Sequence, residues 1–144
     1  MFEERNLLYF DEYFFENGSP SKPKYFLVLK RDISGVMLIS LPSSKVNVAV
    51  PEKRIHGCIN LTAVNFGCYF FENQVPITEC GFGFPFDTFV YVYWITDKTI
   101  ETIDYIYKPN DYSLIGKLTT QEYNDVLNCL KNSPNIKNKY RKLL

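Results

Sequence analysis

The apolar residues of this chain arrive in short runs, five to nine residues long, rich in β-branched and aromatic side chains and closed by glycine, proline or polar turns. Tyr25–Lys30 (YFLVLK) and Val36–Leu41 (VMLISL) flank Arg31-Asp32-Ile33-Ser34-Gly35, which reads as a hairpin turn between two antiparallel strands. Val46–Val50 (VNVAV) alternates apolar with polar or small residues up to Pro51, Cys58–Val64 can hold a short strand, and Phe66–Phe71 (FGCYFF) reads as another. Thr88–Thr96 (TFVYVYWIT) carries the clearest strand pattern, with Thr99–Tyr107 (TIETIDYIY) as its expected partner across Asp97-Lys98. Leu7–Phe15 (LLYFDEYFF) mixes period-2 and helical spacings, so its type stays open. Asn17–Pro23 and Cys80–Pro85 are loops by their turn chemistry. The pattern is mainly β, of α+β type.

Helix signals come only near the end. Thr119-Thr120-Gln121-Glu122 matches a capping box, in which the Thr119 hydroxyl accepts from a free backbone N–H and Glu122 reaches back to the cap. Tyr123, Val126, Leu127 and Leu130 follow at helical spacing, which predicts a helix over about 119–131. Ser133-Pro134 stops it, and Pro134 can start a second short helix carrying Ile136, Tyr140 and Leu143.

With 144 residues, 24 of them aromatic, the chain has core material enough for one domain over 1–144. Its apolar content and zero formal net charge disfavour disorder. No apolar run is long enough for a membrane helix, and the acidic start MFEERNLL lacks the basic end of a signal peptide. Charge is balanced in sum and uneven along the chain. Met1–Glu16 has five acids and one Arg, whereas the segment 131–144 carries Lys131, Lys137, Lys139, Arg141 and Lys142 with no acid. Such a tail suits phosphate contacts, a solvated helix end, or attraction to the acidic start.

Cys58, Cys68, Cys80 and Cys129 form no CxxC pair, so a zinc knuckle and a thioredoxin-type motif are excluded, and buried free thiols are the expectation. With no signal peptide, that points to the cytoplasm. The single histidine, His56, rules out multi-histidine metal sites and two-histidine nuclease pairs within one chain. A nucleophile elbow, a P-loop and a dinucleotide fingerprint are missing too, since Gly81 and Gly83 are followed by Pro85 and a strand. The Arg54 and His56 pair would share one face of an extended segment and could clamp a phosphate. Tyr69-Phe70-Phe71 and Tyr91-Val92-Tyr93-Trp94 could stack bases, although half of each strand must face the core.

The run Phe15–Lys45 resembles the front half of the PemK/MazF family of toxin ribonucleases. In that family a strand leads through a polar loop to a basic residue at the start of the second strand, then a hairpin, then a third strand ending in a short Pro/Thr/Ser segment. Here the basic position is Lys24 in Lys22-Pro23-Lys24-Tyr25, and the strand end is Leu41-Pro42-Ser43-Ser44-Lys45. Leu114-Ile115-Gly116-Lys117-Leu118 before the capped helix resembles the family's ending.

The resemblance implies a compact antiparallel SH3-like β-barrel with a C-terminal helix. It also implies cofactor-free, metal-independent cleavage of single-stranded RNA, a homodimer, and an antitoxin partner that lays a peptide across the groove. Lys24 would hold the scissile phosphate, Ser43 or Ser44 would hydrogen-bond its oxygens, and Lys22, Lys45, Arg54 and His56 would contact RNA. The family places Arg where this chain has Lys24, which offers a point charge without a bidentate fork. Its middle segment Cys58–Pro85 is also longer than in compact members. A non-catalytic SH3-like barrel that binds a protein or peptide through exposed aromatics is the alternative.

Overall fold

The computed structural model describes residues 1–144 and is mainly β, with eight strands in two antiparallel sheets and three helices. The larger sheet has the order β7-β3-β2-β1-β8, from β1 (Asn6–Tyr13), β2 (Lys22–Arg31), β3 (Val36–Ser40), β7 (Thr96–Thr99) and β8 (Tyr112–Lys117). The smaller has the order β4-β5-β6, from β4 (Gly57–Leu61), β5 (Phe66–Phe71) and β6 (Thr88–Tyr91). The helices are α1 (Ile100–Ile106), α2 (Thr120–Lys131) and α3 (Asn138–Arg141). None is long and apolar enough to cross a membrane.

Alternation along the strands builds the core. Leu7, Leu27, Leu29 and Leu38 leave one face of the large sheet to meet Tyr69, Phe71 and Val90 of the small sheet and Val126 and Leu130 of α2. Their neighbours Leu8, Phe26, Val28, Met37 and Ile39 leave the opposite face and pack under α1 with Phe2 and Tyr107. The outer face of the small sheet buries Cys68, Phe70, Phe89 and Tyr91. The two sheets do not close into a barrel. They are joined at one corner, where Ser43, three residues past β3, exchanges backbone hydrogen bonds of 2.9 and 2.8 Å with Phe89.

The Tyr25–Leu41 hairpin forms in the expected antiparallel sense, and Leu7–Phe15 resolves as a central strand, paired on both sides by β2 and β8. Three sequence expectations are corrected. Val46–Val50 is turn and loop, with the Tyr91 hydroxyl accepting from the Asn47 N–H at 2.9 Å. Thr88–Thr96 is broken by a single 3-10 turn at Val92–Trp94, because the chain leaves the small sheet there to pair with the edge of β3. Thr99–Tyr107 is a helix and not the strand partner. Thr99 caps it by accepting from the Thr102 N–H, and Ile100, Ile103 and Tyr107 fall at i, i+3 and i+7 against the second core.

The cysteine expectation is also corrected. Cys58 on β4 and Cys129 on α2 form a disulfide with a Cα–Cα distance of 5.3 Å across 71 positions, while Cys68 is free and buried and Cys80 free and exposed. In the chain-entropy picture a loop of that size restrains the unfolded state by about 4 kcal/mol. The capping box is half formed. Thr119 accepts from the Glu122 N–H at 3.2 Å, but the Glu122 carboxylate turns away to His56 and Tyr69.

Candidate functional site

The β1–β2 loop, the start of β2 and the segment after β3 enclose a cleft of about 640 Å³. Lys22 and Lys24 lie two residues apart on β2, so their side chains leave the same face of the strand, beyond the point where Phe26 and Val28 fill the core. Lys45 comes from the opposite wall, and the half-exposed Trp94 and the rings and chains of Phe15 and Leu41 supply apolar surface. The lining contains three lysines and no carboxylate. Glu16, next to Phe15, is engaged by Lys98 in an ion pair.

Local structure fixes these groups. Ser43 is buried by its bridge to Phe89, and its hydroxyl oxygen accepts from the Lys45 N–H at 3.1 Å, which sets the turn that aims Lys45. The Tyr91 hydroxyl donates to the Lys45 carbonyl and pins the same turn from below. Lys22 Nζ sits 5.6 Å from the centre of the Phe15 ring. Burial, and secondarily the charge of Lys22, lowers the pKa of Lys24 from its ordinary 10.5. The result is a concentrated cationic site in which Lys24 gives up its proton more readily than a free lysine, beside a hydroxyl that can donate to an oxyanion.

The structure therefore brings Lys22, Lys24, Ser43 and Lys45 together. Ser44 is exposed and does not line the cleft. Arg54 and His56 do not join it, and they do not share a face, because the small sheet separates them. The Arg54 guanidinium lies 5.0 and 5.2 Å from the Phe70 and Phe89 ring centres and pairs with Asp87 at 2.9 Å. Asp87 in turn accepts from Asn73, and that bond, with the one from Arg54, holds its carboxyl below the ordinary range despite some burial. The Arg54 guanidinium is thus folded onto aromatic rings and paired with a carboxylate, away from the lysine cleft. The basic segment 131–144 stays outside the cleft, and none of its cations pairs with an acid of Met1–Glu16.

His56 belongs to a second cleft, about 450 Å³, on the other side of the small sheet. Its Nε2 lies 2.8 Å from Glu122 Oε2, and its Nδ1 accepts from the Glu72 N–H at 2.9 Å, so the neutral ring carries its proton on Nε2. The Tyr69 hydroxyl donates to the same Glu122 oxygen at 2.5 Å. Glu122 raises the His56 pKa above its ordinary value by that hydrogen bond and by charge, against the opposing effect of burial. Burial alone would raise Glu122, yet the bonds from His56 and Tyr69 carry it below the usual carboxylate value. Sequence reasoning missed Glu122 and Tyr69 because each has an ordinary local explanation, a cap and a strand aromatic, and neither is near His56 in the chain.

No family model, curated protein or solved structure matches the chain.

Proposed function

We propose that the lysine cleft binds the backbone of single-stranded RNA and that the chain is a metal-independent endoribonuclease of the kind the PemK/MazF resemblance implies. The observation that carries this reading is the convergence of Lys22, Lys24, Lys45 and Ser43 in one cleft without a carboxylate. Lysines so placed neutralise phosphates, and the apolar walls offer Trp94 and Phe15 as surfaces for unpaired bases. In the reaction a ribose 2′-oxygen attacks the adjacent phosphorus and the bond to the 5′-oxygen breaks. Lys22 and Lys45 hold the phosphate, the Ser43 hydroxyl donates to a non-bridging oxygen, and Lys24 exchanges a proton with the reacting oxygens. The bridge between the two sheets at Ser43 supports an open form of an SH3-like barrel. RNA as substrate sets the work in the cytoplasm, where reducing conditions act against the Cys58–Cys129 bridge, and an antitoxin segment closing this groove would be acidic. A homodimer belongs to the same reading.

The test is incubation of the chain with single-stranded RNA in the presence of a chelator. Cleavage is expected, and Lys24→Ala should slow it at least a hundredfold; unchanged cleavage in Lys24→Ala removes Lys24 from the mechanism. The second reading, a non-catalytic module that binds a peptide, is favoured by Tyr93 and Trp94, whose ring centres lie 5.0 Å apart and which are 40% and 49% exposed. It predicts intact RNA in the same assay.

A further inference from the structure

We propose that the Cys58–Cys129 disulfide is a thiol-exchange site, opened by a small dithiol that enters the cleft beside α2 and attacks the sulfur of Cys58. The bridge forms part of the wall of the second cleft, among His56, Glu122, Asp125 and Asn128. Its two halves are unlike. Cys58 is exposed on β4, the edge strand of the small sheet, whereas Cys129 is 3% exposed on the inward side of α2. An incoming thiolate therefore has an open approach to Cys58 alone, so access selects the attacked sulfur and Cys129 is the one that leaves; its burial disfavours the leaving thiolate and makes the exchange slow.

The exchange balances in two steps. The reagent thiolate forms a bond to Cys58 Sγ as the Cys58–Cys129 bond breaks, and Cys129 leaves as a thiolate that takes a proton from water. The second thiol of the reagent, after losing its proton to solvent, then displaces Cys58 and closes the reagent's own disulfide. Two electrons pass from the dithiol to the bridge, and Cys58 and Cys129 end as thiols. The free cysteines do not compete. Burial pushes the Cys68 thiol up to about 12, and Cys80 lies outside this cleft, beside Thr78. Opening the bridge removes the covalent tie between β4 and α2 and leaves the Asn60 side-chain N–H to the Cys129 carbonyl at 3.0 Å and the His56–Glu122 bond in place. The fold is held while the end of the helix loosens. This site is separate from the lysine cleft and does not rest on the RNA reading.

The test treats the native full chain with dithiothreitol, alkylates it with iodoacetamide and maps the labelled cysteines by mass spectrometry. Without reductant only Cys80 should label. With it Cys58 should label too, with the circular dichroism spectrum unchanged and faster hydrogen exchange in 120–131. Reduction that occurs only in denaturant, or labelling of Cys58 without reductant, overturns the proposal. In a second arm, Cys129→Ser should take glutathione from its disulfide at Cys58 at least about tenfold faster than Cys58→Ser takes it at Cys129. Equal rates overturn the choice of attacked sulfur, and if either variant fails to fold the alkylation of the unaltered chain decides.

Discussion

Glu122 Oε2 receives both the imidazole of His56, 2.8 Å away and 66 positions distant in the chain, and the hydroxyl of Tyr69. His56 has a raised pKa, so its bond to Glu122 adds stability below the ordinary imidazole value of 6.5, net of the Glu72 N–H bond that a protonated Nδ1 gives up, and that share is lost as pH rises through the folded value. Glu122 is lowered, so its share is present above 4.5 and lost as pH falls through its folded value. The pair is strongest between the two. Urea unfolding should show stability declining from mildly acidic to mildly alkaline pH, and His56→Ala should lose about 1–3 kcal/mol near pH 6 and flatten that slope. An unchanged slope in His56→Ala would assign the effect to another group.

Lys24 should set an alkaline limit on RNA binding. Its pKa lies below 10.5, so affinity should fall at a lower pH than an exposed lysine would give. Lys22→Ala removes a like charge and should move that limit upward, short of the ordinary value because burial remains. The same variant should reduce the dependence of log affinity on log salt by about 0.7. Fluorescence titration across pH and salt measures both.

Trp94 is the sole tryptophan of the chain and lies in the wall of the lysine cleft. If an unpaired base stacks on it, RNA should quench its emission, and Trp94→Ala should weaken binding by about 1–3 kcal/mol. Trp94→Phe should recover most of the loss. Binding of equal strength in Trp94→Ala would exclude the stack.

Gly83 has no room for a side chain. A Cβ there would stand 2.6 Å from the Val75 carbonyl oxygen and 2.9 Å from the Gln74 and Val75 carbonyl carbons, all of them backbone. Gly83→Ala should cost about 1–3 kcal/mol in chemical unfolding. Gly18→Ala, where nothing lies within 4 Å, controls for added volume, though its φ of 79° carries its own strain.

What could be read from the residues was what neighbours decide. The β2–β3 hairpin, β5 and the Thr119-capped helix carry their own turn, period and cap signals. Lys22, Lys24, Ser43, Ser44 and Lys45 are grouped by the PemK/MazF resemblance, and the hairpin brings all but Ser44 to one cleft by carrying the start of β2 and the end of β3 to the same end of the sheet. The Ile and Tyr positions of Thr99–Tyr107 satisfy both periods over so short a stretch, and tertiary packing on the second core decides for helix. The Cys58–Cys129 bond and the Glu122 network join positions tens of residues apart, and no local pattern announces such a meeting. Arg54 and His56 diverge because a strand edge intervenes between them, which alternation alone does not reveal.

The Ser43–Phe89 bridge has a bearing on how the cleft measures its ligand. Lys24 is carried by the large sheet, whereas Lys45 sits on a turn moored to the small sheet through Phe89 and Tyr91. The spacing of the two ammonium groups thus depends on how the two sheets pack against each other through their shared core. A polyanion of fixed charge spacing that grips both lysines would lock that packing, and a core change that alters it would retune which anion fits without touching a cleft residue.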